Sequence, residues 1–382
     1  DGLRWLKIHI ANLFGFNKIS FDDRLAFVEN HMDMIFDSAT KPLEGKRFWL
    51  EAEEKFQALA AIMELHAALT YGGPPEEFLS SLPVHTDGSC NGLQHYAALG
   101  GDVYGAQQVN LLAVSNVPQD VYSGVASVVA GYVSRDAKNG NPIAQLLDGR
   151  IERKIVKQTV MTTVYGVTFI GARDQIENAM KDRNAVDDPD TLHAASTYVA
   201  KLTFSALQEM FLGARNTMNW LAKVAQICGS ENQPVCWTTP LGIPIVQPYR
   251  EIRRKSVKTV LQTVVLELEQ DNLPVHKSRQ RSGFPPNYVH SLDSTHMMLT
   301  SLAAKDAGLT FAAVHDSYWT HPGQMTMLNR LLREQFVNLH SQPLLENLKN
   351  DLKSRCTSHF PDVPSKGELN LEDVLISPYF FH

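Results

Sequence analysis

Leu82-Pro83-Val84-His85-Thr86-Asp87-Gly88-Ser89-Cys90-Asn91-Gly92-Leu93-Gln94-His95-Tyr96 passes from a short apolar segment, through an aspartate and a glycine, into a helical pattern. Leu82 to Thr86 is apolar and short enough for a strand, Asp87-Gly88-Ser89 ends it in a turn, and helix is expected from about Gly92. A second stretch repeats the arrangement. Leu309 to Val314 reads as a buried strand, His315-Asp316-Ser317 follows at once, and Tyr318-Trp319-Thr320 completes a hairpin. Two aspartates at strand ends are what a two-metal site needs: Mg²⁺ takes carboxylate oxygens, and two such ions about 4 Å apart clamp the attacking and leaving oxygens of a phosphoryl transfer. Asp is equally an ordinary turn residue, and a separation of 229 residues says nothing about proximity. On residue pattern alone, hydrolase, nuclease and polymerase all stay open.

Working outward, residues 1–80 read mostly as helix, with helical spacing from Asp23 to Phe36 and a stronger run from Glu51 to Leu69, broken by Gly72-Gly73-Pro74-Pro75. Further helices are expected over Gln119 to about Ser134, over Gly149 to Val164, and as a pair from Thr191 to about Gln226 broken near Gly213. Gly140-Asn141-Pro142 and Asp187-Asp188-Pro189 mark loops. Cys236 to Pro248 and Thr259 to Leu268 suggest strands joined by a loop, Gln270 to Pro286 is polar and poor in pattern, and helix returns over Ser291 to Ala307 and Asn329 to about His340. The final Pro378-Tyr379-Phe380-Phe381-His382 is too aromatic to dangle and should dock. The expected class is α+β, a helix-rich insert between two pieces that each carry a strand ending in Asp.

The chain has 382 residues, 44% hydrophobic and 20% charged, enough for a substantial core. Its net charge of -6 runs against nucleic-acid binding, so only local charge could support that function. Cys90, Cys228, Cys236 and Cys356 have no C-x-x-C spacing, so neither a structural zinc nor a disulfide framework is indicated. No run reaches eighteen apolar residues, so no membrane span is expected. There is no signal or transit pattern, but Asp1-Gly2-Leu3-Arg4-Trp5 reads like the middle of a folded region, so that absence is uninformative.

Arg153, Lys157, Met161 and Tyr165 recur every four residues and form a slowly drifting stripe on one helix. Two cations at its early end suit a triphosphate, and the helix dipole does not account for them there. A solvated charged face that also includes Arg150 and Lys154 is the plainer alternative. Between Tyr249 and Arg281 stand Arg250, Arg253, Arg254, Lys255, Lys258, Lys277, Arg279 and Arg281, against only Glu251, Glu267, Glu269 and Asp271. A basic hairpin there would contact phosphates, unless it is an ordinary charged surface.

His85 to Tyr96 resembles motif A of the phage-type single-subunit RNA polymerases, most closely the mitochondrial RNA polymerase of animals, and His315-Asp316-Ser317 resembles motif C. Lys154-Ile155-Val156-Lys157-Gln158-Thr159-Val160-Met161-Thr162-Thr163-Val164-Tyr165-Gly166 resembles motif B. The likeness runs from Trp5-Leu6-Lys7-Ile8-His9 to Tyr379-Phe380-Phe381, with an interval from His290 to Asp316 slightly shorter than in the phage enzymes. It implies a right-hand polymerase palm with a helix-rich fingers insertion. Residues 1–103 and 291–382, the latter with a C-terminal extension, would be palm. Residues 104–290 would be fingers, including a specificity-loop-like hairpin at about 249–281.

The same resemblance implies a DNA-directed RNA polymerase acting on a DNA template, nascent RNA and ribonucleoside triphosphates. In it Asp87 and Asp316, joined by the Gly88 carbonyl, hold two Mg²⁺ ions, and Arg153 and Lys157 bind the triphosphate, with Lys157 also catalytic. Tyr165 and His290 select ribose, Gly166 admits the template base, and Met161 packs near the templating pair. Lys18 matches a phosphate-contacting lysine and Tyr122 a tyrosine near the active centre. A mitochondrial location, in the matrix nucleoid, and mitochondrial initiation and elongation factors follow from the same likeness. A related DNA polymerase, a two-metal nuclease and a non-catalytic nucleic-acid-binding derivative are the rival readings.

Overall fold

The computed structural model describes residues 1–183, 188–268 and 273–382; Asp187, Glu269, Gln270 and Asp271, named above, lie outside them. The chain is mostly helical and carries three small open sheets among the described residues. The one that matters most is three-stranded, in the order β1-β7-β6, and every pair is antiparallel. Its strands are β1 (Val84–Asp87), β6 (Ala312–Val314) and β7 (Ser317–Thr320). β2 (Cys236–Thr238) pairs with β3 (Pro244–Val246), and β4 (Arg253–Lys258) with β5 (Thr263–Leu268).

The helix after the first aspartate spans Asn91–Gly100 and buries every residue from Asn91 to Leu99. The Leu212–Ser230 helix packs on both it and the Lys277–Asp306 helix, so these three form a central helical layer. The pair expected from Thr191 breaks at Phe211 rather than Gly213, giving Pro189–Met210 and Leu212–Ser230. The aromatic end docks as expected. Phe380 and Phe381 are fully buried, and Phe381 stacks on Tyr318 at 5.3 Å. Burial of this kind contributes about 1.5–3 kcal/mol per phenylalanine.

Three local expectations are corrected. The Asp23–Phe36 run is two helices, Phe21–Asn30 and Met32–Thr40, separated at His31. Leu309 to Val314 is strand only over its last three residues, and Val314 is 69% exposed, because β6 is the sheet edge and has one neighbour. The patternless stretch before Pro286 is in fact helix from Lys277, part of a 30-residue helix reaching Asp306 that carries Pro285 and Pro286 inside it. Two adjacent prolines remove two N–H donors and are a strong sign of helix interruption, so the sequence pointed away from a helix that packing retains. The boundary placed between residues 290 and 291 falls inside it. All four cysteines are free thiols, with the Cys228 and Cys356 sulfurs 3.3 Å apart. No helix among the described residues is long and apolar enough to cross a membrane.

Candidate active site

Strand pairing brings the two aspartates together. β1 and β7 align Asp87 with Ser317, so Asp316 lies one residue off the facing position, and the Gly88 N–H donates to the Asp316 carbonyl at 3.4 Å. Facing residues of an antiparallel pair lie about 4.5–5.5 Å apart between Cα atoms, and diagonal neighbours remain within side-chain reach. Val314 pairs with Ser317, which leaves His315 and Asp316 as a two-residue turn. Such turns match strand twist when the first central residue takes positive φ, and His315 does so at 56°. Cys90, just before the other helix, holds φ 60°. Two side chains in left-handed backbone within one small region mark a corner over-determined by its surroundings.

The chain end backs this corner. The His382 N–H donates to the Asp87 carbonyl at 3.1 Å, and Gly88 bridges Phe381. A Cβ on Gly88 would meet the Phe381 ring at 3.2 Å and Gln94 Oε1 at 3.3 Å, so a side chain there would have to push its neighbours back by a few tenths of an ångström. The Gly88 carbonyl accepts the Cys90 N–H at 3.0 Å and keeps one lone pair. Both carboxylates reach solvent, at 55% and 35% side-chain exposure for Asp87 and Asp316. The donor set is oxygen-rich and open, which suits a hard cation such as Mg²⁺.

Three cations gather at the start of the Arg153–Thr163 helix. Arg153 is its first residue and Lys157 stands one exposed turn on. Lys18 comes from the loop after the first helix, and its pKa is lowered: crowding strips its water, Asp120 opposes this, and the charges of Arg153, Arg24 and Lys157 reinforce it. Lys18 thus lies within electrostatic reach of the other two and of Asp120. Asp120 clamps Arg153 through Nε at 2.5 Å and Nη2 at 3.3 Å. Burial works against the Asp120 charge, but hydrogen bonds from Arg153 and Ser123 keep its pKa below the ordinary value. Tyr122 lies under Arg153, 5.2 Å from ring centre to guanidinium carbon. The helix N-cap, Glu152, makes no side-chain capping bond. Uncapped amides, the positive end of the dipole and three cations together suit an anion.

At the other end the stripe changes character. The helix stops at Thr163, so Tyr165 lies in the turn after it and not on its face. Gly166 N–H bonds to the Thr163 carbonyl and Val167 N–H to that of Thr162, both at 3.1 Å, which is a Schellman ending with Gly166 at φ 79°. A Cβ there would also meet Pro286 Cγ at 3.2 Å. Gly166 is thus explained by the chain's own backbone before any template is considered. Tyr165 stacks on His290 at 4.4 Å and 24°. Burial, and then the charges of Cys90, Asp316 and Asp293, push its hydroxyl pKa up, so the ring lies within electrostatic reach of Asp316. Burial and neighbouring His315 lower the His290 pKa, partly offset by Asp316. Asp87, Gly88, Asp316, Tyr165 and His290 thus share one corner, with Lys18, Arg153 and Lys157 beside it and Gly166 at its edge.

Sequence reasoning overlooked Asp293. It sits three residues after His290, hence on the same helix face, a spacing that could have revealed it. It is 7% exposed, accepts a hydrogen bond from Asn91 Nδ2, and lies 3.5 Å from His315 Nε2 through Oδ2. Burial, and secondarily the charge of Asp316, raise its pKa to about 6 against the pull of His315 and Asn91. His315 Nδ1 meets Asp316 Oδ1 at 2.9 Å. Burial opposes the His315 charge, yet this bond and the charges of Asp316 and Asp293 raise its pKa overall.

Comparison with known proteins agrees with this picture. The profile of the family described as DNA-dependent RNA polymerase matches residues 1–360. The whole chain aligns at 54% identity with 38% of DNA-directed RNA polymerase 2B, chloroplastic/mitochondrial, of Nicotiana tabacum. It aligns at 52% with 39% of DNA-directed RNA polymerase 1, mitochondrial, and at 51% with 40% of DNA-directed RNA polymerase 3, chloroplastic, both of Nicotiana sylvestris. The chain therefore spans about two fifths of these relatives. They are plant organellar enzymes, so the support is for the phage-type family and organellar kinship, coarser than the animal mitochondrial likeness expected from the motifs. The chain belongs to the DNA-dependent RNA polymerase family, within its phage-type single-subunit branch, and so to a family of nucleotidyltransferases.

Proposed function

We propose that this chain carries the nucleotide-adding centre of a DNA-directed RNA polymerase that transcribes an organellar, more specifically mitochondrial, genome. The observation that supports this most is the β1–β7 register, which sets Asp87 and Asp316 side by side with the cations of Lys18, Arg153 and Lys157 nearby. Asp87, Asp316 and the free lone pair of the Gly88 carbonyl would hold two Mg²⁺ ions. When bound, such ions supply charge neutralisation and a more acidic attacking hydroxyl.

The chain's own residues do the rest. Lys157 and Arg153, the latter oriented by Asp120, and Lys18 draw the triphosphate to the uncapped helix start and neutralise charge on the leaving pyrophosphate. Tyr165 and His290 form a stacked wall against which the ribose lies. An imidazole N–H donating to the 2′-hydroxyl favours ribose, because a deoxyribose would leave that polar group unpaired. Gly166, with no Cβ, leaves the helix end open to the template base. Residues 1–103 and 291–382 would form the palm and 104–290 the fingers, with the Lys277–Asp306 helix running across the second boundary as a shared strut. Partners on this reading are a DNA template, nascent RNA, ribonucleoside triphosphates, and mitochondrial initiation and elongation factors.

The test is addition of one nucleotide to an RNA primer on a DNA template, by this chain alone and fused to the remainder of the tobacco relative. The fusion should add ribonucleotides in Mg²⁺ and lose that activity with Asp316→Ala. Equal use of deoxynucleotides, or extension by the Asp316 variant, sinks the reading.

A further inference from the structure

Next to the oxygen-rich pair lies a cluster of different chemistry. His290, Asp293 and His315 each offer one ligand atom, and the three atoms lie within 4.8 Å of one another. Two come from one face of the Lys277–Asp306 helix and the third from the β6–β7 turn. Asp293 is fixed: Asn91 Nδ2 occupies Oδ1, which leaves Oδ2 facing His315 Nε2 at 3.5 Å. When His315 donates Nδ1–H to Asp316, its Nε2 lone pair points at a carboxylate oxygen. The imidazole and the carboxylate are thus close enough to share a proton or a metal ion, and with His290 beside them a divalent cation would take the proton's place.

We propose that His290, Asp293 and His315 form a site for a borderline divalent cation, Zn²⁺ or Co²⁺ in type, separate from the Asp87–Asp316 pair. Two imidazoles and one carboxylate with an open fourth position are a typical set for such ions, whereas Mg²⁺ avoids imidazole. The outer contacts are also those of a metal site. A ligating histidine ordinarily donates its other N–H to a carboxylate, as His315 does to Asp316, and a ligating carboxylate is itself hydrogen-bonded, as Asp293 is by Asn91. Zinc–nitrogen bonds near 2.0–2.1 Å require the donors to close up. His315, with its side chain 48% exposed, has room to do so. The functional consequence rests on the polymerase reading: an ion here takes the His290 nitrogen from the ribose, so zinc raises KM for ribonucleotides and narrows the preference for ribose.

Co²⁺ is the probe, because its visible absorption reports coordination number and ligand type. The chain should bind one Co²⁺ per molecule, with a band of a four- or five-coordinate nitrogen–oxygen site that persists in excess Mg²⁺ and is displaced by Zn²⁺. Asp293→Asn and His315→Ala should weaken binding at least about tenfold, and Asn91→Ala about tenfold through the outer contact. Asp87→Asn should leave it intact. Circular dichroism melts verify folding, and Asp293→Asn, nearly the same shape with the buried charge removed, guards against a variant that merely unfolds. No stoichiometric band, a band surviving both ligand variants, loss with Asp87→Asn, or a thiolate charge-transfer band from Cys228 and Cys356 each overturns the site. Cobalt binding without primer extension sinks the polymerase reading alone, and extension without cobalt binding sinks this one alone.

Discussion

The corner around Asp87 and Asp316 and the β4–β5 hairpin are both antiparallel and physically opposite. In the corner, backbone from β1, β7 and the chain end pairs across three segments, and buried Asp293 ties two helices to a turn. Every β4 residue is exposed, the connecting Val260 and Leu261 stand fully in solvent, and Arg254–Glu267 is an exposed pair at 2.9 Å. Exposed pairs contribute about 0–1 kcal/mol. The difference teaches where precision is held. On the proposed function the corner must be preorganised, because misplacement of reacting groups by about 1 Å costs about a hundredfold in rate. A hairpin that tracked a charged polymer would work with little internal order.

The hardest way to break the comparison is at the corner's acids. Asp316→Ala should cut nucleotide addition by at least about a thousandfold, or about 4 kcal/mol, while template binding holds within a few-fold. Single-turnover extension and filter binding read the two quantities. A parallel loss of both would mean that Asp316 organises the fold and not the chemistry. Next in size is a stability effect. The Asp293 pKa is raised to about 6 in the folded chain, so the folded state favours its neutral form. The stabilisation is complete below the unfolded value near 4 and is lost as pH rises through 6. Asp293→Asn should therefore match the wild type near pH 4 and exceed it by about 2–3 kcal/mol above pH 7. Urea midpoints across that range check it.

Smaller effects sharpen the border of the corner. Lys157→Ala should lower kcat/KM about ten- to a hundredfold with little change in melting temperature, since Lys157 is exposed. Arg153→Ala should add a stability loss, because it strands the partly buried Asp120. His290→Ala should reduce the preference for ribonucleotides over deoxynucleotides about tenfold, read as a ratio of kcat/KM values.

What the sequence showed follows the same divide. Asp87, Lys157, Tyr165 and His290 were singled out because local pattern and motif coincide there, and the β1 strand and the helix after it lie nearly where expected. The 229-residue partnership of Asp87 with Asp316 was not, because strand register is a tertiary fact that only the pairing of β1 with β7 supplies. Pro285-Pro286 hid a 30-residue helix, since packing on the Leu212–Ser230 helix overrides a local breaker. Asp293 was missed for the opposite reason. A buried carboxylate in an ordinary helical run has no sequence mark until its partners Asn91 and His315 are in place. The basic hairpin was visible by composition, but its role is not fixed by any contact among the described residues.

The hairpin supplies the gentlest test. Lys255 sits mid-strand on β4, exposed, across from Leu266. Lys255→Ala removes one charge and no packing, so stability should move by less than about 0.5 kcal/mol. If the hairpin lies against DNA phosphates, duplex affinity should fall about two- to fivefold at low salt, and the slope of log affinity against log salt should flatten by about one contact. Single-nucleotide addition at saturating template should not change, because among the described residues β4 pairs with β5 and not with the corner. An unchanged salt slope would make the basic stretch an ordinary solvated surface. A fall in addition at saturating template would break the comparison itself, since it would mean that the loose ribbon and the tight corner act as one body.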